Sequence, residues 1–212
     1  MKLFLCSSFI TEKTLKNFET VLGRPMAGSR IACIVTAAKG IAKGSDLSFI
    51  DNGLKLARET FGANVDVFDI EMMQPEEFSK FLGYDAIWFQ GGKTAYLIKA
   101  LRKTGFDKAL PEILKKVVYI GSSAGSKVCS KVLDSSDWYS GEPEPGPAET
   151  PGLGLIDFQF YPHFLEENLE EILAVRHLDK EYWLLQDGHA LAINDGAVRI
   201  CGGQVIVLEK QA

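Results

Sequence analysis

The sequence predicts an α/β fold: a three-layer α/β/α arrangement with a mostly parallel central sheet and a small C-terminal antiparallel strand set. Two observations carry this. Short unbroken apolar runs, as expected of strands covered on both faces, alternate with segments of helical period. Near the C-terminus the pattern changes to short strands joined by Asp187-Gly188, Asp195-Gly196 and Gly202-Gly203, dipeptides suited to tight turns. Nothing recurs at a fixed period.

In chain order, the expected strands are Lys2–Cys6, Ile31–Val35, Val65–Ile70, Ala86–Phe89 and Val117–Ile120. Helical candidates lie between them at Thr14–Leu22, Asp46–Phe61, Pro75–Phe81 and Thr94–Arg102. A further helix is expected at Ala124–Val132. The stretch Asp134–Gly152 holds four prolines and three glycines and cannot form a regular element. A plain connection and a lid over a site are both open readings of it. Leu155–Phe160 reads as a strand and Asn168–Val175 as a helix. Tyr182–Gln186, Ala190–Asn194, Ala197–Cys201 and Val205–Glu209 should form a small antiparallel meander closing one sheet edge.

The chain has 212 residues, enough for one α/β domain over 1–212. At that size roughly 70% of the unfolded surface is buried on folding. A net charge of −5 and the lack of a basic block argue against a nucleic-acid partner. The four cysteines, Cys6, Cys33, Cys129 and Cys201, are scattered and read as buried reduced thiols. No Cys/His group has ligand spacing, so no metal and no other cofactor is expected. MKLFLCSSF is too short an apolar run for a signal peptide, and no run approaches the ~18 apolar residues of a membrane helix. The expectation is a cytoplasmic protein, monomer or homodimer, with no membrane partner.

The strongest chemical signal is Gly121-Ser122-Ser123-Ala124-Gly125, a G-x-S-x-G placed after a strand and before a helix. That is the context of a nucleophile elbow, with Ser123 as nucleophile and the N–H of Ala124 as an oxyanion donor. The serine needs a base, and the chain has three histidines. His163 follows a strand and so lies in the layer where ligand sites of open parallel sheets gather. His177 reads as a helix end and His189 as an outward-pointing turn residue. For the acid that orients the imidazole, Asp187 at a strand end is favoured over Asp157, Asp179 and Glu181.

The sequence resembles the peptidase E and cyanophycinase family of serine peptidases, close in fold to class I glutamine amidotransferases. Gln90-Gly91-Gly92-Lys93-Thr94, Tyr119–Gly125, Pro151–Leu155 running to Pro162-His163-Phe164, and Asp187-Gly188 carry the resemblance in the family's order. The resemblance implies Ser123 as nucleophile, His163 as base and Asp187 as acid. It places the oxyanion hole on the backbone of Gly92 and Ala124, with Gly91 and Lys93 at the substrate. It also implies a preference for an N-terminal aspartate, which needs a cationic pocket. The segment after His163, LEENLEEILAVR, is acidic there instead, leaving Lys93 or Arg176 as substitutes.

The expected function is therefore a dipeptidase-like serine peptidase acting on a small peptide substrate. The rival readings are a cyanophycinase-like or esterase hydrolase, and an inert binding or sensing module on the same fold.

Overall fold

The structure, a computed structural model, describes residues 1–133 and 150–211. Its strands are β1 (Lys2–Cys6), β2 (Arg30–Ile34), β3 (Asn64–Phe68), β4 (Ala86–Phe89), β5 (Val118–Ser122), β6 (Gln159–Tyr161), β7 (Tyr182–Leu184), β8 (Ala190–Asn194), β9 (Ala197–Cys201) and β10 (Ile206–Leu208). Seven form one sheet in the order β3-β2-β4-β5-β1-β8-β9. The first five of that order run parallel, and β8–β9 continues from β1 as an antiparallel hairpin. The α/β class read from the sequence is the fold observed.

The C-terminal strands divide between two sheets, which the expected meander did not foresee. Only β8 and β9 close an edge of the large sheet. The strands β7 and β10 join β6 in a three-stranded sheet, β6 parallel to β7 and β10 antiparallel to it. The physical reason is a separate small core. Tyr161, Phe164, Ile172, Tyr182 and Leu184 bury one another there, away from the main sheet.

The helices are α1 (Glu12–Leu22), α2 (Ser48–Lys55), α3 (Thr94–Thr104), α4 (Phe106–Ile113), α5 (Ala124–Lys127) and α6 (Leu169–Val175). A π-helical turn, Leu56–Thr60, extends α2, and Pro75–Gly83 is a 3₁₀ rather than an α segment. The period-2 geometry of strands sorts neighbouring side chains onto opposite faces. Leu3, Leu5, Ile34, Ile87 and Phe89 pack with Leu97, Leu101, Phe106 and Leu110 of α3 and α4. Phe4, Cys6, Ile31, Trp88 and Ile120 pack on the other face with Phe18, Leu54 and Ala57. Truncating one such residue, Phe89→Ala for example, costs about 3–5 kcal/mol. No helix among the described residues is long and apolar enough to cross a membrane.

The register fixes where chemistry can occur. Leu5 and Phe89 each pair with Gly121, so β1, β4 and β5 end at one level. The segments that follow them, Ser7–Phe9, Gln90–Gly92 and Ser123, therefore meet at the carboxyl edge of the parallel strands.

Candidate active site

β5 ends at Ser122 and α5 starts at Ala124, leaving Ser123 to make the whole turn with φ 49° and ψ −110°. A non-glycine residue at such angles costs roughly 1–3 kcal/mol and persists only where its surroundings hold it. Here the Ser123 N–H donates to the carbonyls of Cys6 (3.2 Å) and Ser7 (3.0 Å). The Ser126 hydroxyl donates to the Cys6 carbonyl at 2.8 Å, and the buried Tyr119 hydroxyl to the Gly125 carbonyl at 2.6 Å. Gly125 itself lies against β4: a Cβ there would sit 2.1 Å from the Phe89 carbonyl oxygen. The second glycine of G-x-S-x-G is thus set by close approach. At one turn, α5 is shorter than expected, so it supplies local N–H groups rather than a long helix's dipole.

His163 enters from the small sheet, two residues beyond β6, with φ 55°. Its N–H donates to the Ser7 hydroxyl at 2.7 Å. Its Nδ1 lies 2.7 Å from Asp187 Oδ1. Asp187 follows β7, and the Ser7 hydroxyl reaches the same Oδ1 at 2.8 Å. The hydrogen bond from His163 holds the Asp187 carboxyl below its ordinary value against the opposing effect of burial, helped by the charge of His163 and by Ser7. An ionised carboxylate only accepts, so the Nδ1 of His163 carries the proton that faces Asp187.

Ser123 and His163 line one cavity of about 570 Å³. Gly91 and Gly92 lie on its wall, as does an apolar group formed by Phe9, Phe49, Leu56 and Trp88. Gly92 has φ 140°, and a Cβ there would lie 2.3 Å from the Ala37 carbonyl. Among the described residues, no protein group accepts from the N–H of Gly92 or of Ala124. Ala124 is buried beside Ser123 rather than on the cavity wall. Among the described residues, no cluster of three or more His, Cys, Asp or Glu side chains is arranged to hold a metal.

The remaining candidates lie elsewhere. Lys93 caps α3, donates its N–H to Ala37 at 3.0 Å and does not line the cavity. Arg176 reaches the Glu209 carbonyl at 3.1 Å, on the small sheet's side. His177 is exposed, and its N–H donates to the Tyr182 hydroxyl. Asp157 is exposed and pairs with Lys131. His189 does not point outward: its ring packs on Gly203, where a Cβ would meet Nε2 at 2.2 Å. The lid reading of Asp134–Gly152 falls on residues 134–149, outside the described ones. The residue that sequence reasoning missed is Ser7. Its one available signal is its place directly after a strand at the functional edge.

A cavity at the carboxyl ends of the parallel strands lies where ligand sites of open α/β sheets gather. The chain belongs to peptidase family S51, whose family model matches residues 3–201. It is thus a hydrolase of the peptidase class. An uncharacterized peptidase of Listeria monocytogenes is 30% identical over 178 residues, covering 80% of this chain and 81% of that protein. Peptidase E of Streptomyces coelicolor is 32% identical over 83 residues, 39% of this chain and 33% of that protein. Among solved structures, a candidate peptidase E from Listeria monocytogenes EGD-e superposes with a TM-score of 0.72 at 26% identity, covering 99% of this chain and 98% of that one. A peptidase from an acI-B1 Actinobacterium shares the fold, with a TM-score of 0.67 at 20% identity, covering 100% of this chain and 95% of that one.

Proposed function

We propose that the protein is a serine peptidase that hydrolyses short peptides with Ser123 as nucleophile, His163 as general base and Asp187 as its orienting acid. The observation that carries this reading is that Ser123, on its strained turn, shares a cavity with His163, whose Nδ1 is bonded to Asp187.

In the reaction, Ser123 Oγ bonds to the peptide carbonyl carbon as His163 Nε2 takes its proton. Asp187 keeps the imidazole in the productive tautomer and stabilises its charged form. The N–H groups of Gly92 and Ala124 receive the developing oxyanion, each worth about 3–4 kcal/mol at the transition state. The C–N bond then breaks, with the imidazolium proton going to the leaving amine. Water, deprotonated by His163, attacks the acyl-enzyme and releases the acid product and Ser123. The modest cavity favours short substrates, which gives the dipeptidase-like reading. The four thiols, buried and unbridged, support a reducing cytoplasmic setting.

A fluorophosphonate probe with intact mass and peptide mapping tests this. The expected result is one adduct on Ser123, absent from Ser123→Ala and strongly slowed in His163→Ala. No adduct on folded wild-type protein would favour an inert binding module instead. Ester and peptide profiling of labelled protein separates a peptidase from an esterase or a cyanophycinase-like enzyme.

A further inference from the structure

We infer that the cavity beside Ser123 is a specificity pocket for an apolar side chain, aromatic ones foremost, on the residue that supplies the scissile carbonyl. The inference rests on Ser123 being the nucleophile and names the substrate class of that same site.

The walls carry it. Phe9 stacks on Trp88 with ring centroids 4.1 Å apart, so one side is a continuous aromatic surface. The Trp88 indole N–H is already donated to the Ser122 hydroxyl at 2.9 Å, so the indole offers the cavity carbon rather than a donor. α2 packs on it through Gly53, where a Cβ would lie 3.0 Å from Trp88 Cη2. Phe49 and Ser123 flank the same point of backbone: a Cβ on Gly91 would lie 3.5 Å from the Phe49 ring and 3.5 Å from Ser123 Cβ. The apolar surface therefore begins beside the nucleophile. Aromatic walls favour a stacked or edge-on aromatic guest over an aliphatic one of similar size.

Charge points the same way. No Lys, Arg, Asp or Glu is among the described residues lining the cavity. Lys93 and Arg176, the two cations expected to serve an acidic substrate, are not among the residues lining the cavity. A carboxylate entering this pocket would shed water with no cation to replace it, which is strongly unfavourable. The volume, about 570 Å³, lies within the roughly 300–1,000 Å³ typical of small-ligand sites and leaves room for a large side chain. The acidic preference implied by the family resemblance is not the one this cavity is built for.

The test compares Phe, Leu and Asp p-nitroanilides, with free and acetylated amino groups, on wild type and on Phe49→Arg. Phe49 is 38% exposed on α2, so the variant should fold, and circular dichroism checks this. Wild type is expected to favour Phe over Asp in kcat/KM by roughly 10- to 200-fold or more. Phe49→Arg, by adding a cation at the wall, should move that ratio toward Asp by at least about 10-fold. A wild-type preference for Asp, or a ratio that Phe49→Arg leaves unmoved, overturns the inference. In parallel, calorimetry measures Phe-Ala and Asp-Ala binding to Ser123→Ala. Tighter binding of Phe-Ala without any wild-type hydrolysis sustains the pocket and sinks the peptidase reading. Hydrolysis led by Asp does the reverse. Neither hydrolysis nor binding overturns the pocket.

Discussion

The Ser7 hydroxyl lies 2.8 Å from Asp187 Oδ1, the oxygen that also faces His163 Nδ1 at 2.7 Å. The same hydroxyl accepts from the His163 N–H, and the Ser7 carbonyl accepts from the Ser123 N–H. One fully buried residue thus touches all three proposed catalytic positions, two through its hydroxyl and Ser123 through its carbonyl, while lying outside the cavity wall. It is a positioning residue. Ser7→Ala should lower kcat roughly 10- to 100-fold with KM little changed, as a small misplacement of catalytic groups does. The orphaned His163 N–H should also cost about 1–3 kcal/mol of stability. Steady-state kinetics and denaturant titration of one preparation check both, and a KM change without a kcat change would refute the assignment.

Asp187→Asn should fold yet lose on the order of 10⁴-fold in kcat, because an amide can hold the imidazole in the wrong tautomer. The acid dependence of stability supplies a second readout. The Asp187 carboxyl is held below its ordinary value near 3.8, chiefly by the hydrogen bond from His163. A depressed carboxyl stabilises fully above the unfolded-state value, and that part is lost as pH falls through the lower, folded-state value. Urea titrations from about pH 6 down to about pH 2 should show a smaller loss in Asp187→Asn than in wild type, the remainder coming from other depressed carboxyls such as Asp69 and Glu71.

Gly125→Ala should disable the elbow. The added Cβ would lie 2.1 Å from a β4 carbonyl oxygen, so backbone must shift. A loss of about 1–3 kcal/mol is expected, the overpacking range, with fluorophosphonate labelling of Ser123 falling further than stability alone explains. Normal labelling of a folded Gly125→Ala protein would show that the close approach does not set the turn.

The rejected candidates make controls. Asp157→Asn and His177→Ala change exposed residues, so stability should stay within about 0.5 kcal/mol and turnover should match wild type. A large kinetic effect from either would move the proposed base or acid.

Much of this architecture can be read along the chain because its causes are local. β1 and β4 match their expected bounds residue for residue, since both are buried apolar runs with clear ends. The elbow was legible because two glycines and a serine after a strand form a local pattern. Elements that depend on distant contacts were not. α4 escaped notice because Pro111 interrupts its helical signature, although the helix tolerates it near its end. α5 stops after Lys127, short of the expected Val132, because the chain turns there to receive Leu153, Leu155 and Ile156 N–H groups on Val128 and Cys129. The cavity's apolar wall draws Phe9, Trp88 and, from α2 and its π-helical extension, Phe49 and Leu56 from three segments, so no window of sequence contains it. Ser7 has the same excuse: its partners lie far along the chain.

The division of the C-terminal strands has a mechanical consequence. Ser123 is carried by the large sheet, whereas His163 and Asp187 hang from neighbouring strands of the small one, whose pairing continues past its strand ends through Leu185 and Tyr161. The proposed base and acid therefore hang from one sheet and the proposed nucleophile from another, joined by Ser7 and by Phe160, Trp183 and Leu185, which pack on the main core. Sliding one sheet against the other would disengage the serine from its base while leaving the histidine–aspartate couple intact. Packing and hydrogen bonds thus hold the proposed nucleophile to its proposed base across a joint between two sheets.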